Sequence, residues 1–342
     1  MNNANRRLVI LTQGGGRFCN QLIIYGHLIA FVNEYRDKYD LMNMSFFSYR
    51  SLLEDPKLFD DYCFKSKQLV LINLVHSIYR KIEFLPAKII KLIKAILIFL
   101  WSFLCYKNLF EMQSVIVNEK TMILDGYGYR IEKLCLDDKH DIGILERSKI
   151  TLLSGWKIRR WHLFHKHQDY IREKLKFNQE YQQKANIFIQ PILNKYDFVI
   201  GVSIRQGDYR KYKNGQFYFT TEQYVKWMMQ TKKVFSSKGK IGFVVTSDET
   251  KTISKFQGLD VHFASGIFGS SGHYVESILE LSKCHLIMTP PSTFGLWSAF
   301  IGRVPVLPLY DASQYICENN INILDNNIFD AIKDHSLSYV LK

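Results

Sequence analysis

Asp197-Phe198-Val199-Ile200-Gly201-Val202-Ser203-Ile204 carries no charge after its first residue and stops at Arg205-Gln206-Gly207-Asp208. A short apolar run rich in β-branched residues and closed by a polar, Gly-containing cluster reads as a β-strand entering a loop. The same grammar repeats outward from it. Ile241-Gly242-Phe243-Val244-Val245-Thr246 is a second strand, after which Ser247-Asp248 reads as a helix N-cap and Gly258 as a stop. Val261-His262-Phe263 is a short third strand. Tyr274 to Lys283 patterns as an amphipathic helix, His285-Leu286-Ile287-Met288 as a strand, Gly295 to Ile301 as a helix, and Val304-Pro305-Val306-Leu307 as a last strand. Strands alternating with helices imply a parallel sheet covered by helices on both faces.

The N-terminal half opens in the same way, strand then Gly loop then helix, from Leu8 to Asn33, whereas the stretch from about Asp40 to Ile150 is less regular. At roughly 150 residues per domain, 342 residues suggest two domains. The expected α/β organisation is an N-terminal domain over 1–185, carrying an irregular helical insertion at about 40–150, and a C-terminal domain over 186–342. The boundary is expected within Lys176–Asp197, around Pro191.

Composition excludes several classes. Hydrophobic residues at 47% and charged residues at 23% exclude a disordered chain. A formal charge of +13 favours anionic partners such as phosphates, nucleic acid or an acidic membrane surface. The nearest two of the six cysteines, Cys105 and Cys135, are 30 residues apart, so no C-x-x-C pair exists and the thiols read as reduced and mostly buried. Arg6 and Arg7 precede Leu8-Val9-Ile10-Leu11, a run too short for a signal-peptide core, so the start reads as a first strand of a cytoplasmic protein. The longest uncharged apolar stretch, Ala95 to Tyr106, has 12 residues and is too short to span a bilayer, which takes about 20. Just before it, Lys88, Lys91 and Lys94 share one helical arc opposite Ile89, Ile93, Ile96, Leu97 and Leu100. Lys88–Lys107 therefore has two readings: an interfacial helix on an anionic membrane, or an ordinary helix with a solvated lysine face.

In open α/β sheets, ligands bind beyond the carboxyl ends of the strands. The polar residues at those ends are Arg205-Gln206-Gly207-Asp208, Ser247-Asp248 and Ser292-Thr293. A guanidinium and hydroxyls suit phosphate oxygens, and a carboxylate can accept from guanine N–H groups or sugar hydroxyls. Gly14-Gly15-Gly16, opening a helix, offers backbone N–H donors. Each piece also has a plainer reading: Arg205 with Asp208 as a surface pair, Ser247-Asp248 and Ser292-Thr293 as helix caps, the glycines as a turn. Competing motifs fail. Cys19 occupies the third glycine of G-x-G-x-x-G, no G-x-x-x-x-G-K-[ST] occurs, and no D-x-D occurs to hold a metal on a nucleotide sugar. His162, His165 and His167 stand among Arg159, Arg160 and Lys166, which fits a basic solvated or anion-binding face better than zinc.

Taken in order, four segments resemble one family. Gly15-Gly16-Arg17-Phe18-Cys19-Asn20-Gln21 is similar to the G-G-R-x-G-N-Q opening of GDP-fucose-dependent fucosyltransferases, and Val202-Ser203-Ile204-Arg205-Gln206-Gly207-Asp208-Tyr209 to their V-H-I-R-R-G-D-Y. Phe243 to Glu249 resembles F-x-x-F-S-D-D, and Cys284 to Ala299 resembles C-x-x-x-I-x-x-x-S-T-F-x-W-W-x-A. Asp125-Gly126-Tyr127 and Gly155-Trp156 resemble shorter aromatic segments. From residue 14 to about 310 the whole resembles the bacterial α-1,2-fucosyltransferases of glycosyltransferase family 11. The departures are Ser203 for the motif His, Gln206 for its second Arg, Cys19 for Gly, Met288 for Ile and Leu296 for the first Trp.

The resemblance implies a GT-B architecture of two facing Rossmann-like domains, the nucleotide in the C-terminal one and the acceptor on the N-terminal side. It implies GDP-L-fucose as donor and inversion at the anomeric carbon. The implied donor-binding set is Gly15, Gly16, Arg17, Asn20, Gln21, Ser203, Arg205, Gly207, Ser247, Asp248, Ser292, Thr293 and Phe294, with Asp248 reading guanine or ribose. Arg205, Asp208 and Asn20 form the catalytic set: Arg205 meets the departing β-phosphate and Asp208 is the nearest general base. No metal and no cofactor are expected. The expected partners are GDP-L-fucose, a glycan or lipid-linked glycan acceptor (galactose 2-OH in the first instance) and an anionic membrane through Lys88–Lys107, with no nucleic acid. Three rivals stay open: another linkage such as α-1,6 or protein-O, another GDP-sugar, and a non-enzymatic basic binding protein.

Overall fold

The computed structural model describes residues 6–55, 89, 92–93, 96, 112–117, 129–131, 133–325 and 328–333. The chain divides into two units, Met1–Lys176 and Phe177–Lys342.

In the first unit, β1 (Arg7–Gly14) and β2 (Tyr39–Asn43) flank α1 (Phe18–Glu34) in sequence. Then come β3 (Met112–Val117), β4 (Tyr129–Ile131), β5 (Leu134–Cys135), α2 (Lys139–Glu146), β6 (Ile150–Gly155), β7 (Ile158–Arg159), α3 (Trp161–Lys166) and α4 (Gln168–Lys174). Five of these strands make a parallel sheet in the order β2-β1-β6-β3-β4, and β5 pairs with β7 beside it. Leu8, Ile10 and Leu11 of β1 are fully buried, and α1 is buried along most of its length from Phe18 to Phe31. A helix that is apolar nearly all round lies in a core rather than on a surface, which is why this helix lacks a polar face.

The second unit begins with α5 (Gln179–Lys195) and continues through β8 (Phe198–Ile204), α6 (Thr221–Val234), β9 (Ile241–Ser247) and β10 (Val261–Phe263). It then adds α7 (Tyr274–Leu281), β11 (Leu286–Thr289), α8 (Thr293–Gly302), β12 (Val306–Pro308) and α9 (Ile328–Lys333). Its five strands are parallel in the order β10-β9-β8-β11-β12. The chain steps outward from β8 through β9 to β10, then returns to lay β11 on the other side of β8. That reversal is a topological switch point, where the loops after β8 and β11 diverge and leave a crevice. One core face packs Ile200, Val202 and Ile204 of β8 against Phe219, Tyr224, Trp227 and Met228. Trp227 meets Phe219 edge-on at 4.9 Å, and its indole N–H donates to the Gln314 carbonyl at 2.7 Å, so a large buried ring keeps its one polar atom satisfied. Thr220 and Gln223 close a reciprocal capping box on α6.

Three expectations are corrected. No α-helix follows Ser247-Asp248; a single 3-10 turn, Ile253–Phe256, stands where the helix was expected to run towards Gly258. Asp248 turns its carboxylate to the loop after β8 instead of capping its own chain. Pro191 lies inside α5, so the expected boundary at 185/186 falls within a helix. The carbonyl that loses a partner to this proline belongs to Ile187, on a face where that residue is 76% exposed and water can serve it. Finally, the range read as an irregular insertion supplies β3 and β4 to the main sheet. Of Lys88–Lys107, only Ile89, Leu92, Ile93 and Ile96 lie among the described residues; they are helical, and Ile89, Leu92 and Ile96 are exposed. Asp125-Gly126-Tyr127 lies outside the described residues. Among the described residues no helix is long and apolar enough to cross a membrane.

α7 carries a fully buried carboxyl, Glu280, whose Oε2 accepts from the Ser265 backbone N–H at 2.9 Å. Burial pushes its pKa up from 4.5 to about 7. The folded state therefore holds this proton more tightly than the unfolded chain. Stability falls as pH rises between those two values and is level above them. Glu280→Gln keeps the acceptor and removes the charge. It should stabilise the protein by up to about 3 kcal/mol at about pH 8, with the gain vanishing near pH 4. Denaturant titrations of both proteins at several pH values check this; a pH-independent difference would mean that Glu280 is not held neutral by the fold.

Candidate active site

The loop after β8 is stitched to both neighbouring strands. On the β9 side, the Asp248 carboxylate accepts from the Gln206 N–H at 2.8 Å and the Gly207 N–H at 3.2 Å. The same carboxylate lies 3.0 Å from Arg205 Nη1, while Arg205 Nη2 lies 2.8 Å from Asp208 Oδ1. The two prongs of the guanidinium are thus held by separate carboxylates, a geometry that a lysine cannot reproduce. On the β11 side, the Tyr209 hydroxyl donates to the Pro291 carbonyl, and its ring stands 5.6 Å from the Arg205 guanidinium carbon. Burial raises the Tyr209 and Tyr224 hydroxyls well above the ordinary tyrosine range, so both stay protonated. The Tyr224 hydroxyl accepts from the Arg205 backbone N–H at 3.3 Å. Gly207 is required here because a Cβ would come within 2.9 Å of an Asp248 oxygen.

Across the switch point, Ser292 is the N-cap of α8 with extended backbone and no side-chain cap bond. The backbone N–H groups of Thr293, Phe294 and Gly295 form the first turn, whose donors have no partner within the helix and favour an anion. Of the other residues expected in this unit, Ser203 is buried inside β8. Ser247 Oγ accepts from the Glu249 N–H at 3.1 Å and shapes its own turn. Asp248, expected to read guanine or ribose, engages both oxygens within the protein.

In the first unit, Gly15, Gly16 and Arg17 connect β1 to α1 at the carboxyl end of the sheet, Asn20 and Gln21 lie in the first turn of α1, and the register sets Gly14 against Gly155 of β6. Gly16 has φ +73, a left-handed conformation that also lets Asn20 lie against it. Arg17 is the exposed N-cap of α1. The Asn20 and Gln21 side-chain oxygens are buried and have no protein partner. Neutral amide acceptors of this kind suit hydroxyl groups. Nearby Asn43 ends β2, and its Oδ1 accepts from the Ser45 and Phe46 backbone N–H groups. The basic stretch after β6 is not uniformly solvated: Arg159 is buried, its guanidinium 4.3 Å from the Trp156 ring, and burial lowers its pKa to about 9.

Sequence reasoning missed Tyr224, Lys251, Asn43 and the α7 pair Glu276 and Glu280. Tyr224 and Lys251 sit outside any motif and reach the β8 loop only through the tertiary fold. Glu276 is 5% exposed at the start of a helix leaving the carboxyl edge of the sheet. A signal was available there, since two glutamates four apart lie within a helix read as amphipathic. Among the described residues the one grouping with metal-ligand spacing is Asp138, His140 and Asp141. There Asp138 caps the N-terminus of α2 and Asp141 accepts from the Cys135 N–H at 2.8 Å.

A parallel sheet that presents a fixed guanidinium and a helix N-terminus at its switch point is the architecture of an α/β protein with an anion-binding crevice. The family model for glycosyl transferase family 11 matches residues 141–311, half of the chain, and the chain belongs to that family. No curated protein matches its sequence. Among solved structures, FUT1 of Arabidopsis thaliana, a mutant in complex with GDP, is similar over 90% of this chain and 71% of its own, at 13% identity and a TM-score of 0.52. NodZ alpha-1,6-fucosyltransferase soaked with GDP-fucose is similar over 94% of this chain and 99% of its own, at 13% identity and a TM-score of 0.48. POFUT1 in complex with GDP is similar over 87% and 94%, at 11% identity and a TM-score of 0.48. The likeness to FUT1 agrees with a GT-B-like fold built from two α/β units.

Proposed function

We propose that this chain transfers L-fucose from GDP-L-fucose to a glycan hydroxyl, the 2-OH of a galactose, with inversion and without a metal. The observation that carries the reading is Arg205, fixed by two carboxylates at the carboxyl end of β8, on the switch point at which α8 also starts. Family membership supports glycosyl transfer, and the fucosyl donor is drawn from the family resemblance and from the GDP bound by FUT1. In this reading GDP lies in the second unit. The acceptor oxygen attacks the anomeric carbon from the face opposite GDP, the bond from that carbon to the β-phosphate oxygen breaks, and the hydroxyl proton leaves to a base. Negative charge grows on the β-phosphate, where Arg205 and the N–H groups of Thr293 and Phe294 stabilise it. Asp208, tied to Arg205 at 2.8 Å, aims the guanidinium. Its second role, as base for the acceptor hydroxyl, is proposed on proximity to Arg205. Asn20, Gln21 and the Gly15-Gly16-Arg17 turn are assigned to hydroxyl recognition in the first unit. Asp248 acts by holding the donor loop, while Ser247 shapes the turn after β9 and Ser203 lies buried in β8.

Arg205→Ala should lower turnover of GDP-L-fucose by roughly 10²–10³ while the protein stays folded, because one oxyanion-type donor contributes about 2.7–4 kcal/mol. Arg205→Lys should recover only part of it. Near wild-type turnover in a folded Arg205→Ala protein would remove the central residue from the mechanism. Chelation is the second check. With side chains and helix N–H groups meeting the phosphates, EDTA should leave transfer nearly unchanged; loss of activity restored by manganese or magnesium would show that a metal holds them. A third expectation concerns location. The exposed residues Ile89, Leu92 and Ile96 recur at helical spacing within a lysine-flanked segment. The purified protein should therefore sediment with anionic vesicles at low salt and release as salt rises, at about 1 kcal/mol per lysine near the surface. Indifference to such vesicles would leave the segment an ordinary helix.

A further inference from the structure

We infer that Lys251 carries the second positive charge of the donor loop, moved from position 206 on β8 to the loop after β9; the inference rests on the reading that GDP binds this loop. The motif that Val202–Tyr209 resembles places arginines at both 205 and 206, and this chain has a neutral Gln206. Gln206 is 3% exposed and its amide is fixed at both ends. Nε2 donates to the Phe219 carbonyl at 2.6 Å, and Oε1 accepts from the Lys251 ammonium, also at 2.6 Å. Lys251 thus places its cation at the far end of the residue-206 side chain, where the motif's second arginine would carry its charge.

The surroundings show that charge, not hydrogen bonding alone, is what this lysine supplies. Its side chain is only 6% exposed. Burial lowers its pKa, the direction expected for an ammonium taken out of water. A hydrogen bond to a glutamine oxygen could be supplied by a neutral donor without that burial of charge. The nearest carboxylate oxygen in an ion pair with it, on Glu249, is 3.9 Å away, and both Glu249 oxygens already accept from Arg210 at 2.9 Å. Around the loop, Arg205, Arg210 and Lys251 balance Asp208, Asp248 and Glu249. Lys251 is the most enclosed cation of this set, so its loss lowers the positive potential that a diphosphate meets at the loop. Lys251 is in this sense a positioning residue: it acts through Gln206 and the loop charge.

Binding of GDP and of guanosine to the full chain, measured by calorimetry, tests the inference. Lys251→Met should weaken GDP by about tenfold and leave guanosine within about twofold, since only GDP presents phosphate charge. Adding Gln206→Arg to Lys251→Met returns a cation to position 206 and should restore most of the GDP affinity. Lys251→Gln, which keeps a donor but no charge, should behave as Lys251→Met, and it serves in place of that variant if the latter fails to fold. GDP binding within twofold of wild type in either folded variant overturns the inference, and so does equal weakening of GDP and guanosine, which marks a purely structural lysine. Failure of the wild-type chain to bind GDP overturns the donor-site reading itself, and is seen before any variant is made.

Discussion

The carboxylate of Asp248 holds the turn on which the carboxyl end of the second unit's sheet depends. Two backbone N–H groups and one guanidinium prong converge on it, from a loop separated from it by some 40 residues of sequence. Hydrogen bonds to a charged acceptor are individually stronger than neutral ones, and here they act together on three consecutive residues. The loop cannot drift from β9 without losing all of them. Its other flank is fastened to β11 through Tyr209 and Pro291. A loop tied to both neighbours of its own strand presents Arg205 in one place, which a surface loop of the same composition would not do.

The parallel sheets explain why the polar residues gather where they do. Strands buried on both faces leave no room for chemistry along their length; Val199, Ile200, Val202 and Ile204 are all at or near zero exposure. Polar groups are confined to the carboxyl ends, where the backbone must leave the sheet. The first unit follows the same rule with different chemistry, placing neutral amides and a glycine turn at the end of β1. The second unit places a guanidinium, carboxylates and a helix N-terminus at the end of β8. Neutral hydrogen-bonding groups suit hydroxyls and fixed charge suits phosphate.

Much of this was legible in the residues. The runs read as Asp197–Ile204, Ile241–Thr246 and His285–Met288 announce strands because they are short, apolar and closed by polar turns, and the structure places β8, β9 and β11 there within a residue at each end. Arg205, Asp208, Ser292 and Thr293 could be picked out because they follow such runs directly. Position after a strand does not say what a side chain will touch. Ser247-Asp248 has the composition of a cap, and capping is a local affair. The backbone N–H groups of Gln206 and Gly207 compete for the same carboxylate and hold it. Pro191 reads as a break, and a helix passes through it because the carbonyl it orphans faces water. β3 and β4 were hidden for another reason: their sheet partners are distant in sequence, so no local pattern distinguishes them from an insertion.

Sequence by itself determined the α/β class, the strands of the second unit, the polar loops that follow them and the family, because these depend on periodicity and on residues adjacent in the chain. Only the tertiary structure decided which groups hold Arg205, that Asp248 serves the loop, and that Lys251 reaches Gln206. It also decided that Glu280 and Arg159 are ionisable groups enclosed by the core. Each of these turns on which distant residues share a space and on how much water is left there. Desolvation and charge pairing are set by that packing, not by neighbours along the chain.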